Sequence, residues 1–361
     1  MPKRNVCIVA GARPNFVKVA PLIRAIDKTD EASYELVYAG REDDPTLEPS
    51  LFDDLQMPRP SVYLGVDSVS LNEITSRVMA EFDAYLEHHP TDVVIVVDDL
   101  ASTMAAAIVT KKRGVKLAHL VAGTRSFDIN MPKEINRLVI DALSDNLFTA
   151  GVKSNSIATR EQGEASQTYM VGNILMDTLR YNLPRLRRPA VNVSEGQYLV
   201  FTLNRRALLA DEDGLRLMLQ TLITETGDMP IVAPLRDSAL GTVVRLLSEM
   251  QVPASKLKIE SSLPYLEFGW LTAHACGIVT DSGNVAEEAT FNGVPCITLN
   301  SYTEHIETVK QGTNVLVGED PERLEASLRD MLNGNWKQAS IPERWDGRTA
   351  ERILQILIDV D

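Results

Sequence analysis

NVCIVAGARPNFVKVAPLIRAIDK, residues 5–28, places a short apolar run, a tight turn and an amphipathic stretch one after another. The run from Val6 to Ala10 has no polar alternation, as expected of a parallel strand covered on both faces. Gly11 closes it, and Pro14 falls where the first turn of a helix tolerates a residue without an N–H. The segment therefore predicts strand, loop and helix. The same order recurs around YELVYAG at 34–40, DVVIVVDD at 92–99, KLAHLVAG at 116–123 and DNLFTAG at 145–151, with helical stretches such as TMAAAIVTKKRG between them. Such alternation predicts βαβ units wound into a parallel sheet.

After LPRLRRPAVNVSEG at 183–196 the pattern restarts with YLVFTLN, DMPIVAPL, KLKIESSLPYLEF, CGIVTDSG and GVPCITLN. A chain of 361 residues exceeds what one core usually organises. The expected fold class is α/β, with two Rossmann-like doubly wound domains facing a cleft. The first spans 1–180, a linker 181–196 and the second 197–361. The final amphipathic stretch GRTAERILQILIDVD completes the second domain or packs back on the first.

The net charge of −14 argues against a nucleic-acid or anionic-membrane partner, since phosphate backbones are held by clustered Lys and Arg. The one dense basic run, Arg185, Arg187 and Arg188, lies in the expected linker. Cys7, Cys276 and Cys296 sit in apolar stretches without metal or redox spacing, so buried thiols and no metal are expected. No stretch has the roughly 20 apolar residues of a membrane span, and no signal-peptide pattern is present, so a cytoplasmic protein is expected.

In doubly wound sheets, ligands bind at the carboxyl ends of the strands, so the loops after strands carry the chemistry. GARPN at 11–15 presents backbone N–H groups and Arg13 at a positive helix end, which suits a diphosphate. TDSGNVAEEA at 280–289 is the stronger signal. Ser282, Gly283 and Asn284 form a helix start for phosphate, while Glu287 and Glu288 are placed to accept ribose hydroxyls.

GARPNFVKVAPLIRAI, DDLASTMAAAIVTKKRGVKLAHLVAGTRSFD, PKEINRLVIDALSDNLFTA, VGNILMDTL, TLNRR, LPYLEFGWL, TDSGNVAEEATFNGVPCITL and TEHIETVKQGTNVLVG follow one another over residues 5–318. Together they resemble the non-hydrolysing UDP-N-acetylglucosamine 2-epimerase family. The resemblance implies the GT-B fold, a UDP-sugar as substrate with no further cofactor, and a homodimer. It also implies Arg13, Ser282, Gly283 and Glu288 as nucleotide contacts.

The family's reaction resembles elimination of UDP across C1–C2 followed by re-addition, which needs acid–base groups at C2. Asp99 matches the aspartate of the family's Gly-Asp-Thr loop, with Asp98 in place of the glycine. HLVAG stands for His-Val-Glu-Ala-Gly, leaving Val121 where an acid–base glutamate is expected. PKEINR stands for Pro-Glu-Glu-Ile-Asn-Arg, so Lys133 reverses one charge and Glu134 keeps the other. Asn204 of TLNRR replaces a histidine, and Arg41 and Glu42 replace a Gln-His pair. Asn300 stands where an arginine is usual, and His305 lies in the TEHIE loop, placed with Arg125 on the sugar side.

With the proton carriers changed, glycosyl transfer ranks first among the expected functions. Arg13 and Arg205 would assist the diphosphate, Asp99 or Glu134 would deprotonate a small-molecule acceptor, Lys133 would bind an anionic group and Asn204 would hydrogen-bond the leaving oxygen. Epimerisation with Asp98, Asp99, Glu42 or Glu134 as relocated acid–base groups is the second reading. A non-catalytic sugar-nucleotide-binding subunit is the third. His119, in an apolar strand, is expected as a buried, satisfied histidine.

Overall fold

A computed structural model describes residues 3–162, 166–253 and 255–359. By its contacts the chain divides into two units, residues 1–183 with 343–361, and residues 184–342.

The first unit contains β1 (Arg4–Ala10), β2 (Ala32–Tyr38), β3 (Val62–Tyr63), β4 (Val93–Val97), β5 (Lys116–Ala122), β6 (Asn146–Thr149) and β7 (Gln167–Met170). They form one sheet in the order β3-β2-β1-β4-β5-β6-β7, every described pair parallel. β4 reads Val-Val-Ile-Val-Val and all five residues are buried, because helices cover both faces. The second unit contains β8 (Leu199–Thr202), β9 (Ile231–Pro234), β10 (Leu257–Glu260), β11 (Gly277–Thr280), β12 (Cys296–Thr298) and β13 (Asn314–Leu316). Their order is β10-β9-β8-β11-β12-β13, again parallel. The expected α/β class with two doubly wound parallel sheets is what the structure has.

In each sheet the strand order reverses direction once, between β1 and β4 and between β8 and β11. A crevice opens at the carboxyl ends of such neighbouring strands, because their crossovers leave to opposite sides. The GARPN loop follows β1 and Asp98 follows β4; Asn204 follows β8 and Asp281 follows β11. Gly11 is fixed by packing: a Cβ there would meet Ser102 Oγ at 2.1 Å and Leu100 Cδ1 at 2.9 Å.

Of the stretch 181–196 expected as a linker, residues 184–196 pack with the second unit. Val191 and Val193 are buried in its core, and the Arg188 guanidinium lies over the Trp270 ring. The last helix, Thr349–Asp359, belongs to the first unit. Asp177 accepts its first N–H groups, Thr349 N at 3.1 Å and Ala350 N at 2.8 Å, and burial pushes that carboxyl up to about 6. The final two residues of GRTAERILQILIDVD lie outside the described residues. No described helix is long and apolar enough to cross a membrane.

Candidate functional site

In the first unit the loops after β1, β4 and β5 meet in one charged network. Asn15 folds the GARPN loop on itself, its Oδ1 accepting Gly11 N at 2.8 Å and Ala12 N at 3.2 Å. Its Nδ2 donates to Asp98 Oδ2 at 2.8 Å, and Lys18 Nζ lies 2.5 Å from Asp98 Oδ1. Asp98 takes a left-handed φ of 59°, a conformation Asp tolerates better than most residues. Arg13, at the helix start, pairs with Glu48 at 3.1 Å.

Asp99 Oδ2 accepts Arg137 Nε at 2.8 Å and Nη2 at 2.5 Å, while Lys133 Nζ lies 3.5 Å from Oδ1. Burial pushes the Asp99 carboxyl up, but Lys133 and Arg137 beside it hold it net below the usual carboxylate range. Glu134 accepts Ser126 N at 2.8 Å, Phe127 N at 3.0 Å and Arg137 Nη1 at 3.0 Å. Burial opposes its ionisation too, yet those hydrogen bonds leave it net lowered. One guanidinium thus joins both carboxylates retained from the family pattern.

Val121 lies at φ 74° beside a register shift between Leu120 and Ala122. A β-branched residue in the left-handed region is a genuine outlier, costing on the order of 1–3 kcal/mol. The side chain at this position neither suits its backbone nor carries a proton. Arg125, expected on the sugar side, is instead interior: its guanidinium is fully engaged by Asp141 at 2.7 Å, Glu161 at 2.6 Å and the Thr124 carbonyl at 2.8 Å. Buried His119 is held by Asp141 at 2.6 Å and by the Asp98 carbonyl at 2.9 Å. Arg41 and Glu42 follow β2 on the exposed loop, where Arg41 pairs with Asp43 at 2.5 Å and Asp67 at 3.5 Å.

In the second unit Ser282 caps the helix Gly283–Asn292, its Oγ accepting Val285 N at 3.5 Å. Gly283 is exposed, and a Cβ on it would meet nothing within 4 Å. Asn284 stands partly exposed on the same turn. Glu287 and Glu288, expected to accept ribose hydroxyls as carboxylates, are 2% and 8% exposed. Burial, and then the neighbouring Glu287, push Glu288 up to about 8, so at neutral pH it is an acid and a hydrogen-bond donor. His305 Nδ1 lies 3.4 Å from Glu287 Oε1, which ties this half-buried histidine to the same helix. Asn204 is exposed; its N–H and that of Arg205 both donate to Asp281 Oδ2 at 2.6 Å. The Arg205 guanidinium reaches Asn300 Oδ1 and the Leu299 carbonyl.

Lys18, Arg137 and Asp281 were not singled out from the sequence. Lys18 sits one helical turn beyond Pro14, the signal that places it on the loop side. Arg137 lies three residues after Glu134 in PKEINR, and Asp281 ends the apolar run CGIVT.

A profile described as UDP-N-acetylglucosamine 2-epimerase matches residues 24–358. The UDP-N-acetylglucosamine 2-epimerase of Methanocaldococcus jannaschii is 32% identical, with 98% of each chain covered. The UDP-2,3-diacetamido-2,3-dideoxy-D-glucuronate 2-epimerase of Pseudomonas aeruginosa is 30% identical over 98% of this chain and 99% of its own. The Methanocaldococcus jannaschii enzyme solved with UDP-GlcNAc and UDP superposes with a TM-score of 0.86, at 32% identity, covering 98% of this chain and 99% of that one.

Proposed function

The chain belongs to the UDP-N-acetylglucosamine 2-epimerase family, and from that premise we propose that it binds a UDP-linked 2-acetamido sugar and acts on it as a 2-epimerase with slow proton transfer at C2. The observation that carries this reading is Arg137, which holds Asp99 and Glu134 together. A base needs a free lone pair and a pKa near the working pH. Both carboxylates are lowered, Glu134 is hydrogen-bonded on both oxygens, Asp99 is paired with Arg137 and Lys133, and Val121 adds no base. Losing one positioned acid or base costs about 10²–10⁴-fold.

Glycosyl transfer, ranked first from the sequence, is not retained. Deprotonating an acceptor calls on the same two carboxylates, and the relatives at 30% identity or more carry 2-epimerase names. The resemblance supports Arg13, Ser282, Gly283 and Glu288 as nucleotide contacts; the helix start adds Asn284 and the loop after β8 adds Arg205 for the diphosphate, while Lys133 would serve as a cation for an anionic group and Asn204 as a hydrogen-bond donor to the leaving oxygen. The homodimer that the resemblance implies belongs to the same proposal, as does the cytoplasmic location expected from the sequence pattern. In D₂O with UDP-N-acetylglucosamine, deuterium should enter C2, followed by proton NMR, about 10²–10⁴-fold more slowly than in a relative with the full acid–base set. Exchange as fast as that relative's would show relocated acid–base groups, and UDP release only with an added acceptor would reinstate transfer.

Gly283 supplies a second test. Nothing in the protein occupies the space of its missing Cβ and its φ is not left-handed, so Gly283→Ala should leave thermal unfolding unchanged or slightly raised. A diphosphate seated on that helix start would meet the new methyl, and UDP affinity by calorimetry should fall about 10–100-fold, on the order of 1.4–3 kcal/mol. Unchanged affinity would remove the helix start from the site.

A further inference from the structure

We infer that Asp281 is the positioning residue of the nucleotide edge, fixing Arg205 from both its ends; this rests on the reading that Arg205 faces a nucleotide diphosphate. Asp281 follows β11 and is 5% exposed. Its Oδ2 accepts the N–H groups of Asn204 and Arg205, both at 2.6 Å, so one oxygen holds the whole turn after β8. Its own carbonyl accepts Asn300 Nδ2 at 3.2 Å, and Asn300 Oδ1 takes the Arg205 guanidinium. Backbone and head group of Arg205 are therefore tied to one residue through two separate paths, and the loops after β8, β11 and β12 are joined.

The other oxygen adds an independent argument. Asp281 Oδ1 is buried with no hydrogen-bond partner among the described residues. A buried acceptor left in that state is costly, so the carboxylate is poorly explained as a stabilising group. Placing the Asn204–Arg205 turn is the work its geometry does perform. Asn300 stands where the family resemblance led to an arginine, and that amide is what lets a neutral side chain join Asp281 to Arg205.

The test compares Asp281→Asn, Asp281→Ala and Asn300→Ala in the full chain, using hydrogen exchange of residues 203–206 and UDP binding by calorimetry. An asparagine keeps one oxygen for both N–H groups and puts its amide where the partnerless oxygen was, so Asp281→Asn should bind UDP within about 10-fold of wild type and keep the turn protected. Asp281→Ala should lose protection at residues 204 and 205 and about 30–100-fold in affinity. Asn300→Ala should leave the turn protected and weaken UDP about 3–10-fold, because the guanidinium loses its Asn300 contact and keeps only the long ones to the Leu299 carbonyl and Glu319. Rescue by the conservative variant separates positioning from general stability, since a merely structural role would not split exchange at 203–206 from binding. Should Asp281→Ala fail to fold, Asp281→Asn and Asn300→Ala still decide: full protection with unchanged UDP affinity in Asn300→Ala, or lost protection in Asp281→Asn, overturns the inference. Wild-type protein that does not bind UDP while residues 204 and 205 depend on Asp281 would sink the functional reading and leave the clamp standing.

Discussion

The triple variant Val121→Glu, Lys133→Glu, Asn204→His should incorporate deuterium at C2 of UDP-N-acetylglucosamine about 10²–10⁴-fold faster than the wild-type chain. The three changes act on different terms. Glutamate at 121 supplies a titratable group at the irregular end of β5, where an unbranched side chain fits the φ of 74° better than valine does. Glutamate at 133 removes a cation 3.5 Å from Asp99 Oδ1, so that carboxyl rises toward a useful range. Histidine at 204 returns a group that donates and accepts protons near neutral pH to an exposed position. The control is Val121→Asn. Asparagine tolerates the left-handed region, so it should stabilise the first unit by about 1 kcal/mol through relief of strain without changing exchange at C2. A triple variant that binds UDP-sugar as well as wild type but exchanges no faster would show that these positions do not set the rate.

What could be read beforehand follows from where the sequence is one-sided. β4 is apolar at every position and buried on both faces, so its run alone predicts it; β1 is legible from its apolar, buried stretch Val6–Ala10, and β5 from an apolar run that only Lys116 and His119 interrupt. The strands that escaped notice are edges or nearly so. β3 has two residues, β7 is the half-exposed Gln-Thr-Tyr-Met and β13 is Asn-Val-Leu, each too short or too polar to announce a period. The site shows the same division. Loops after strands name the residues at the crevice edges, as Asp98, Asp99, Asn204 and Ser282 do. Which of those residues is free to act is decided by partners distant in sequence. Arg125 lies in the AGTRSFD loop but is engaged by Asp141 and Glu161, sixteen and thirty-six residues on. Arg137 neutralises two carboxylates from a position whose neighbours drew more notice, and no spacing rule assigns a cation to two acids at once.

Glu288→Gln should be close to neutral for stability at pH 5 and stabilising by several kcal/mol at pH 9. The Glu288 carboxyl ionises near its ordinary 4.5 in the unfolded chain and at about 8 in the folded one, because burial penalises the charge and Glu287 adds repulsion. Between those values the folded state holds a proton that the unfolded state has released. Stability therefore falls as pH rises from about 4.5 to about 8, and the loss is complete above that window. The interval corresponds to on the order of 4–5 kcal/mol at about 1.36 kcal/mol per pH step. Glutamine has nearly the shape of the protonated acid and never ionises, so the variant escapes this loss while keeping the packing of the helix Gly283–Asn292. Urea unfolding of wild type and variant at matched pH isolates the effect, since every other titrating group is common to both. Glu287→Gln provides the complementary check: removing the nearby charge should lower the folded-state Glu288 pKa, which leaves the onset of the loss near 4.5 and narrows the window from its upper end. A stability difference between Glu288→Gln and wild type that stays flat from pH 5 to pH 9 would mean that Glu288 is already ionised in the folded protein at neutral pH, and that a carboxylate, rather than a neutral acid, stands behind the Ser282–Gly283 turn.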